Sequence, residues 1–221
     1  DPITAANVAQ VVGSVERLTL LAALTASDAA ATSATAWSGW RRSLIEGLVA
    51  KTRNHFRGEA LDPKVTYEGW PANQPEPQDS CAPGEFRVST ADHHDGSLLT
   101  IVAADRRGLL ADLAGGLTVA GLNIRSCRSV TVGKTATSLW EVTRPGVDVT
   151  VLTERLSRVF DRSLDLAARL SYQLPAEAKE SSVAVLDAME QSATLVQVRA
   201  LDGRGLVWTV CRAIADQGLH I

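Results

Sequence analysis

Two short motifs of the same kind place an aspartate and a glycine where a strand is expected to end and a helix to begin. The first runs from Asp105 to Leu109 (DRRGL), and the second runs from Asp202 to Leu206 (DGRGL). One interpretation is structural: each aspartate caps its helix by accepting a hydrogen bond from the backbone amide three residues later. The other is functional, because a glycine-containing turn at a helix N-terminus offers free N–H groups and a positive dipole end to the carboxylate of a small ligand such as an amino acid. The residues alone give these two interpretations equal weight.

The cluster His93-His94-Asp95 has the side chains of a metal site of the kind found in metal-dependent phosphohydrolases. It falls between two predicted strands, directly before a Gly-Ser turn. We therefore favour an exposed turn over a metal site at this point of the chain.

Asp28 follows an apolar helical face formed by Leu18, Leu21 and Leu24. A carboxylate on a face that points into a core needs a partner, because burying an unpaired charge is costly. A metal ion would meet that need, and so would a capping role for the segment that follows.

The elements that must position these residues include an internal repeat. When the sequence is shifted by 97 residues, 98–124 aligns with 195–221 without a gap and with nine identities in 27 positions. Each copy has a strand, an Asp-x-x-Gly turn, a helix and a glycine (Gly121 or Gly218) that ends the helix. In the first copy a hairpin around Gly133-Lys134, a helix over 149–163 and a strand near 166–174 follow. This order is βαββαβ, the ferredoxin-like pattern, and the second copy covers only half of it.

Composition divides the rest of the chain and excludes some classes of protein. Residues 3–57 are predicted to be helical, and 58–85 hold five of the eight prolines, which indicates an irregular linker. The 22 basic and 25 acidic side chains give a net charge of −3, which argues against a nucleic-acid partner. No apolar run approaches the roughly 20 residues of a membrane span. The three cysteines are too few for a disulfide framework, and they indicate a reducing, cytoplasmic setting.

The quoted segments carry a resemblance to a known family. Residues 98–111 (LLTIVAADRRGLLA) with 121–126 (GLNIRS) resemble an ACT domain of the bacterial PII uridylyltransferase/uridylyl-removing enzymes, and 195–221 resembles the start of a second one. Residues 18–32 (LTLLAALTASDAAAT) and 36–45 (AWSGWRRSLI) resemble the last helices of the HD domain of those enzymes.

The resemblance implies an α+β fold in which the helical tail of an HD domain precedes one complete and one truncated ACT domain. The implied boundaries are 1–57 for the HD helices, 58–85 for the proline-rich linker, 86–174 for the first ACT domain, 175–182 for a second linker and 183–221 for the first half of the second ACT domain. Since half a domain leaves strand edges open, we expect either that the protein continues past Ile221 or that another chain completes the sheet.

The resemblance also implies a function. The parent enzyme would add a nucleotide to PII signalling proteins when glutamine is low and remove it when glutamine is high, with the ACT domains as the glutamine sensor. The parent would use Mg or Mn. The fragment would bind no metal and transfer no nucleotide, and an ACT-mediated homo-oligomer is expected. The 18 Arg against 4 Lys fit a GC-rich genome, and hence the actinobacterial variant that transfers AMP rather than UMP.

Residues that match the family's motifs are expected to serve its sites. Asp28 matches the last aspartate of the HD metal set, which is incomplete here. The expected ligand-binding residues are Asp105, Arg106, Gly108, Leu109, Leu110, Asn123, Ile124, Asp202, Gly205 and Leu206. The family commonly has Pro after the Arg of the loop. Here Arg107 takes that place, and Gly203-Arg204 replaces Arg-Pro in the second copy, which predicts a looser turn because nothing fixes φ.

Two alternatives remain. The chain could be an ACT-containing allosteric module that senses another amino acid. It could also be an HD-type metal-dependent phosphohydrolase that uses His93, His94, Asp95 and Asp28.

Overall fold

The computed structural model of the chain describes residues 2–33, 37–58, 80–170, 181–186 and 195–221. The chain forms two compact units, Asp1–Pro71 and Ala72–Ile221, whose boundary falls inside the proline-rich segment. Residues 59–79 of that segment, and most of the second predicted linker, lie outside the described residues.

The helices are α1 (Pro2–Val12), α2 (Val15–Thr32), α3 (Gly39–Phe56), α4 (Leu109–Val119), α5 (Val149–Phe160), α6 (Leu166–Arg169) and α7 (Leu206–Asp216). The strands are β1 (Phe86–His93), β2 (Gly96–Ala104), β3 (Ile124–Val132), β4 (Thr135–Val142), β5 (Ser182–Leu186) and β6 (Leu195–Arg199). The predicted α+β class is confirmed.

The first unit is helical, as predicted, but one of its faces is not where the sequence placed it. Leu18 is buried, whereas Leu21 and Leu24 are 47% and 67% exposed. Asp28, on the same face of α2, is also exposed. The expectation of a core-facing carboxylate is therefore wrong for this unit, because the apolar face of α2 is on the surface over its second half.

The main sheet of the second unit has the order β1-β2-β4-β3, with every neighbouring pair antiparallel. The predicted order βαββαβ is wrong in one respect. A βαββαβ chain places its last strand at the edge of the sheet. Here that edge position is taken by β1, which comes before the first copy of the repeat. Residues 166–169, expected in a strand, form α6, and 171–174 lie outside the described residues.

The error at 166–174 has a local cause. The Asp165 carboxylate accepts a hydrogen bond from the Ala168 amide (3.2 Å) and caps a single helical turn. Leu166 and Leu170 are both buried, and a spacing of four residues satisfies the period of a helix as well as that of a strand. The apolar spacing therefore could not separate the two structures.

Strands β2 and β4 form the centre of the sheet. The hairpin between β3 and β4 turns at Gly133-Lys134 as predicted, with φ +60° at the glycine. Trp140 is fully buried, and its indole Nε1 donates to Ser138 Oγ (2.8 Å), so the one polar atom of the ring is satisfied. One buried cluster joins the sheet to its helices through Leu99, Ile101, Trp140, Leu113, Leu117, Leu152 and Leu156.

The second repeat matches the first in its helix. Helix α7 begins 97 residues after α4 and has the same length of 11 residues. Both helices end in a glycine with left-handed φ, +77° at Gly121 and +78° at Gly218. The residue after each glycine donates its backbone N–H to the carbonyl five positions earlier, Leu122 to Leu117 and Leu219 to Ile214. This is the Schellman arrangement, and it confirms the predicted glycine stop.

The two repeats meet where α4 packs against α7. A Cβ added at Gly115 would lie 2.7 Å from Trp208 Cδ1 and 2.5 Å from Leu166 Cδ1. The missing side chain at Gly115 therefore forms the notch that admits the Trp208 indole, and this contact sets how closely the repeats approach.

An ion-pair cluster joins the first loop to α4 and to the end of α5. Asp112 is 5% exposed, and its carboxylate accepts from Arg106 Nη2 (2.5 Å) and from Arg162 Nη1 (3.0 Å). The Arg106 guanidinium also lies 5.3 Å from the centre of the Phe160 ring. A buried carboxylate with two cationic donors contributes to stability because both of its oxygens are satisfied.

Replacing Asp112 tests this cluster. We expect Asp112→Asn to lower the free energy of unfolding by about 1–3 kcal/mol, because hydrogen bonds from charged donors to a buried acceptor are lost. The control is Asp216→Asn, whose pair with Arg212 is about half exposed and should contribute under about 1 kcal/mol. Urea unfolding followed by circular dichroism measures both variants, and equal losses would contradict this account.

The notch at Gly115 predicts opposite signs for two similar substitutions. Gly115→Ala should destabilise the chain by about 1–3 kcal/mol, because the added methyl overlaps Trp208 and Leu166. Gly47→Ala, in the interior of α3, should stabilise it by about 0.5–1 kcal/mol, since a Cβ there meets no described atom within 4 Å and alanine favours a helix. Thermal unfolding of the two variants gives the comparison, and stabilisation by Gly115→Ala would refute the packing.

Candidate ligand-binding clefts

The two Asp-x-x-Gly loops keep the same backbone at the start of each helix. The residue that caps α4 is Gly108 (φ +78°), and the one that caps α7 is Gly205 (φ +88°). A side chain at either position would be strained, because φ is left-handed there. The two loops share one cap, although Arg107 and Arg204 take the place of the proline expected from the resemblance.

The structural interpretation of the two aspartates is wrong. The N-cap residues of the two helices are Gly108 and Gly205, and neither cap has a hydrogen bond from the backbone to a side chain. Neither aspartate is therefore the N-cap. The Asp105 carboxylate instead accepts from Thr131 Oγ1 (3.0 Å) on β3, and its backbone N–H donates to the Lys134 carbonyl (2.8 Å). The first aspartate therefore joins its loop to the sheet rather than to its own helix.

Helices α4 and α7 run antiparallel, so the start of each lies beside the end of the other. A Cβ at Gly108 would lie 3.8 Å from Ala215 Cβ, near the end of α7. A Cβ at Gly218 would lie 3.7 Å from Arg107 Nη1 in the first loop. Each loop therefore forms a cleft with the opposite repeat.

The structure divides the expected ligand residues between two clefts. The first cleft, around the first loop, contains Asp105, Arg106, Gly108, Leu109 and Leu110, together with Ser129, Thr131 and Ile221. The second cleft, around the second loop, contains Asn123, Ile124, Asp202, Gly205 and Leu206, together with Thr118, Leu122, Arg204 and Val207. Asn123 and Ile124 follow the helix of the first repeat in the sequence, and they lie beside the second loop.

The two clefts differ in size and in the state of their charges. The first has a volume of about 20 Å³, and the second about 290 Å³. In the first cleft Asp105 lies 3.6 Å from His220 Nε2, and Arg106 is held by Asp112. In the second cleft, Asp202 and Arg204 are exposed and form no hydrogen bond or ion pair within the described part of the chain.

Sequence reasoning missed Thr118, Leu122, Arg204 and Val207. The repeat itself contained part of the signal, because Arg204 is the counterpart of Arg107, 97 residues earlier. What the repeat could not reveal is that α4 and α7 pack antiparallel, and that packing brings the end of one repeat to the loop of the other.

Cys127 and Cys211 behave as small apolar residues. Burial raises the pKa of the Cys127 thiol, and it also raises the pKa of Cys211. Both thiols pack against the main core. Their protonated state at neutral pH is unsuited to nucleophilic catalysis.

His94 and Asp95 form the turn between β1 and β2, as the exposed-turn interpretation predicts, and His93 is the last residue of β1. His94 has a left-handed φ of +53°, and His94 and Asp95 are exposed. Both oxygens of Asp95 accept from the Arg125 guanidinium, which lowers the pKa of that carboxyl. Among the residues that the structure describes, no group of three His, Cys, Asp or Glu side chains could hold a metal ion.

Comparison with known proteins places this chain beside one group of enzymes. It is 30% identical to the bifunctional uridylyltransferase/uridylyl-removing enzyme of Streptomyces coelicolor and 26% identical to that of Phenylobacterium zucineum, over the full length of this chain in both cases. The Mycobacterium tuberculosis enzyme of the same name is 30% identical over 57% of the chain. No family model matches the sequence, and no solved structure matches it significantly.

The chain spans about a third of the length of these relatives, 33% of the Streptomyces enzyme and 29% of the Phenylobacterium enzyme. The resemblance found in the sequence is thereby confirmed: over its whole length, this chain is related to the bifunctional uridylyltransferase/uridylyl-removing enzymes.

Proposed function

We propose that this chain is the regulatory region of a bifunctional enzyme that adds a nucleotide to PII signalling proteins and removes it again. In this proposal the region senses glutamine and sets the balance between the two reactions. The clefts between the two repeats carry the proposal, because a ligand bound there contacts both repeats at once. The names of the relatives supply the activity of the parent.

The chemistry of the second cleft suits a free amino acid. It combines the N-terminus of α7, which favours a carboxylate, with Asp202, which can accept hydrogen bonds from an ammonium group. The Asn123 amide can both donate to and accept from the carboxamide of glutamine. A ligand with these three groups would use each of them.

Regulation follows from the position of the clefts. A ligand that contacts the end of α4 and the start of α7 binds more tightly when the two helices are packed together. It therefore stabilises that arrangement by its difference in affinity between the packed and separated states. We propose that this difference is what controls the nucleotidyltransferase and hydrolase activities of the parent, with the repeats acting as two ACT domains.

The helical first unit fits the end of an HD domain in this proposal. Asp28 would be one ligand of a Mg or Mn ion whose other ligands belong to the parent. Its exposed position on α2 leaves the carboxylate accessible to such a partner. We propose no resident metal for the chain alone.

We also propose a cytoplasmic setting, with neither nucleic acid nor membrane as a partner and with assembly through the ACT repeats. Within the described residues, no single helix is both long and apolar enough to cross a membrane, and the one helix pair that would reach far enough, Thr4–Val12 with Val15–Thr32, is bent by 105°.

Calorimetric titration tests the sensing. We expect L-glutamine to bind the chain and to raise its melting temperature, since a ligand that binds only the folded state stabilises it. L-serine and L-isoleucine, titrated in parallel, separate a glutamine sensor from a module for another amino acid. The absence of both heat and a thermal shift with glutamine would count against glutamine sensing.

The chain alone should transfer no nucleotide. With PII protein, UTP or ATP and Mg²⁺ present, we expect no mass increase of PII, because the residues of a nucleotidyltransferase site are assigned to the remainder of the parent. Intact-mass spectrometry of PII makes the measurement. A gain equal to one UMP or AMP would overturn the assignment of a purely regulatory role, and metal-dependent phosphatase activity would favour the hydrolase alternative.

A further inference from the structure

We propose that the two repeats have divided their roles: the second cleft binds one effector molecule per chain, and the first loop is a fixed anchor that binds none. This inference rests on the proposed sensing of an amino acid, and it identifies the site. It depends on differences between residues that occupy equivalent places in the two repeats.

The first difference is the clamp on the first loop. Arg106 is held by Asp112, which Arg162 also contacts, and it packs over the Phe160 ring. The positions 97 residues later are Gly203 and Thr209, so neither charge of the Arg106–Asp112 pair exists in the second repeat. Since ion pairs to the buried Asp112 carboxylate restrain the loop that contains Arg106, the first loop has a restraint that the second lacks.

The second difference is the partner of each aspartate. Asp105 lies 3.6 Å from His220 Nε2, a group that becomes a cation when protonated. The counterpart of His220 is Asn123, which lies in the second cleft with Asp202 and cannot become a cation. In the first cleft an imidazole nitrogen that can carry a proton lies beside the aspartate, and in the second cleft that place is left to a ligand ammonium.

The third difference is the arginine of each loop. Arg107 Nη1 reaches the end of α7, where it lies 3.7 Å from a Cβ position at Gly218. Arg204 makes no equivalent contact, because a Cβ at Gly121 meets no described atom within 4 Å. Arg204 therefore leaves the end of α4 uncovered, and its guanidinium lines the second cleft.

Together these differences define the ligand of the second cleft by its chemistry. Asp202 accepts from the ammonium group, and Arg204 with the first N–H groups of α7 binds the carboxylate. Asn123 pairs with an uncharged polar side chain. The ligand is a free α-amino acid with such a side chain, bound once per chain.

Calorimetry with L-glutamine on the 221-residue chain tests the inference. We expect one equivalent of ligand per chain. Asp202→Asn and Arg204→Ala should each weaken binding at least tenfold, while the matched variant Asp105→Asn should leave the affinity within about threefold. Thr131→Val, which removes only the hydroxyl that donates to Asp105, serves as a second first-cleft variant if Asp105→Asn does not fold.

A gain-of-charge variant gives an independent check. Asn123→His copies the arrangement of the first cleft into the second, and we expect it to weaken glutamine binding at least tenfold at pH 6, where the histidine is largely protonated, and less at pH 8. An affinity that does not change with pH in this variant would contradict the role of Asp202.

The outcomes separate this inference from the proposed function. Two equivalents of ligand, or binding that survives Asp202→Asn but is lost in Asp105→Asn, would overturn the assignment to the second cleft and leave amino-acid sensing intact. The absence of binding by glutamine, serine and isoleucine to the unmodified chain would overturn the sensing itself.

Discussion

The contact between Trp208 and Gly115 determines how the second unit is arranged. Because Gly115 has no side chain, the indole of α7 enters a notch in α4, and the two helices come close enough to align start against end. The clefts follow from that alignment, since each loop lies beside the far end of the opposite helix. The position of Asn123 next to the second loop is a consequence of helix packing rather than of its own sequence neighbours.

The same packing explains how two copies of one motif can differ in role. Both loops keep the left-handed glycine cap, so the backbone geometry is common to them. The side chains around the loops differ: Arg106, Asp112 and His220 satisfy or surround the charges at the first loop, and Gly203, Thr209 and Asn123 take the equivalent places at the second. These three differences at equivalent positions distinguish the first loop, which we propose to be an anchor, from the second, which we propose to bind a ligand.

Much of this could be predicted from the sequence, wherever the determining interaction is local. Three features depend on neighbouring residues, and all are present: the repeat at a shift of 97 residues, the hairpin at Gly133 and the glycine stop at Gly121. The predictions that were wrong concern contacts with residues distant in the sequence. The Asp105 carboxylate accepts a hydrogen bond from Thr131 on β3, and the apolar face of α2 beyond Leu18 is exposed. The helical turn at Leu166 differs from the predicted strand for another reason: its apolar spacing fits a helix and a strand equally well, and the cap at Asp165 decides between them.

In the function proposed here, a ligand in the second cleft joins the two repeats. Hydrogen–deuterium exchange of the chain with and without L-glutamine tests it most directly. We expect 202–207 and 118–124 to gain protection together, because both line the second cleft, while 105–110 changes little. Protection confined to one repeat, or centred on 105–110, would contradict it.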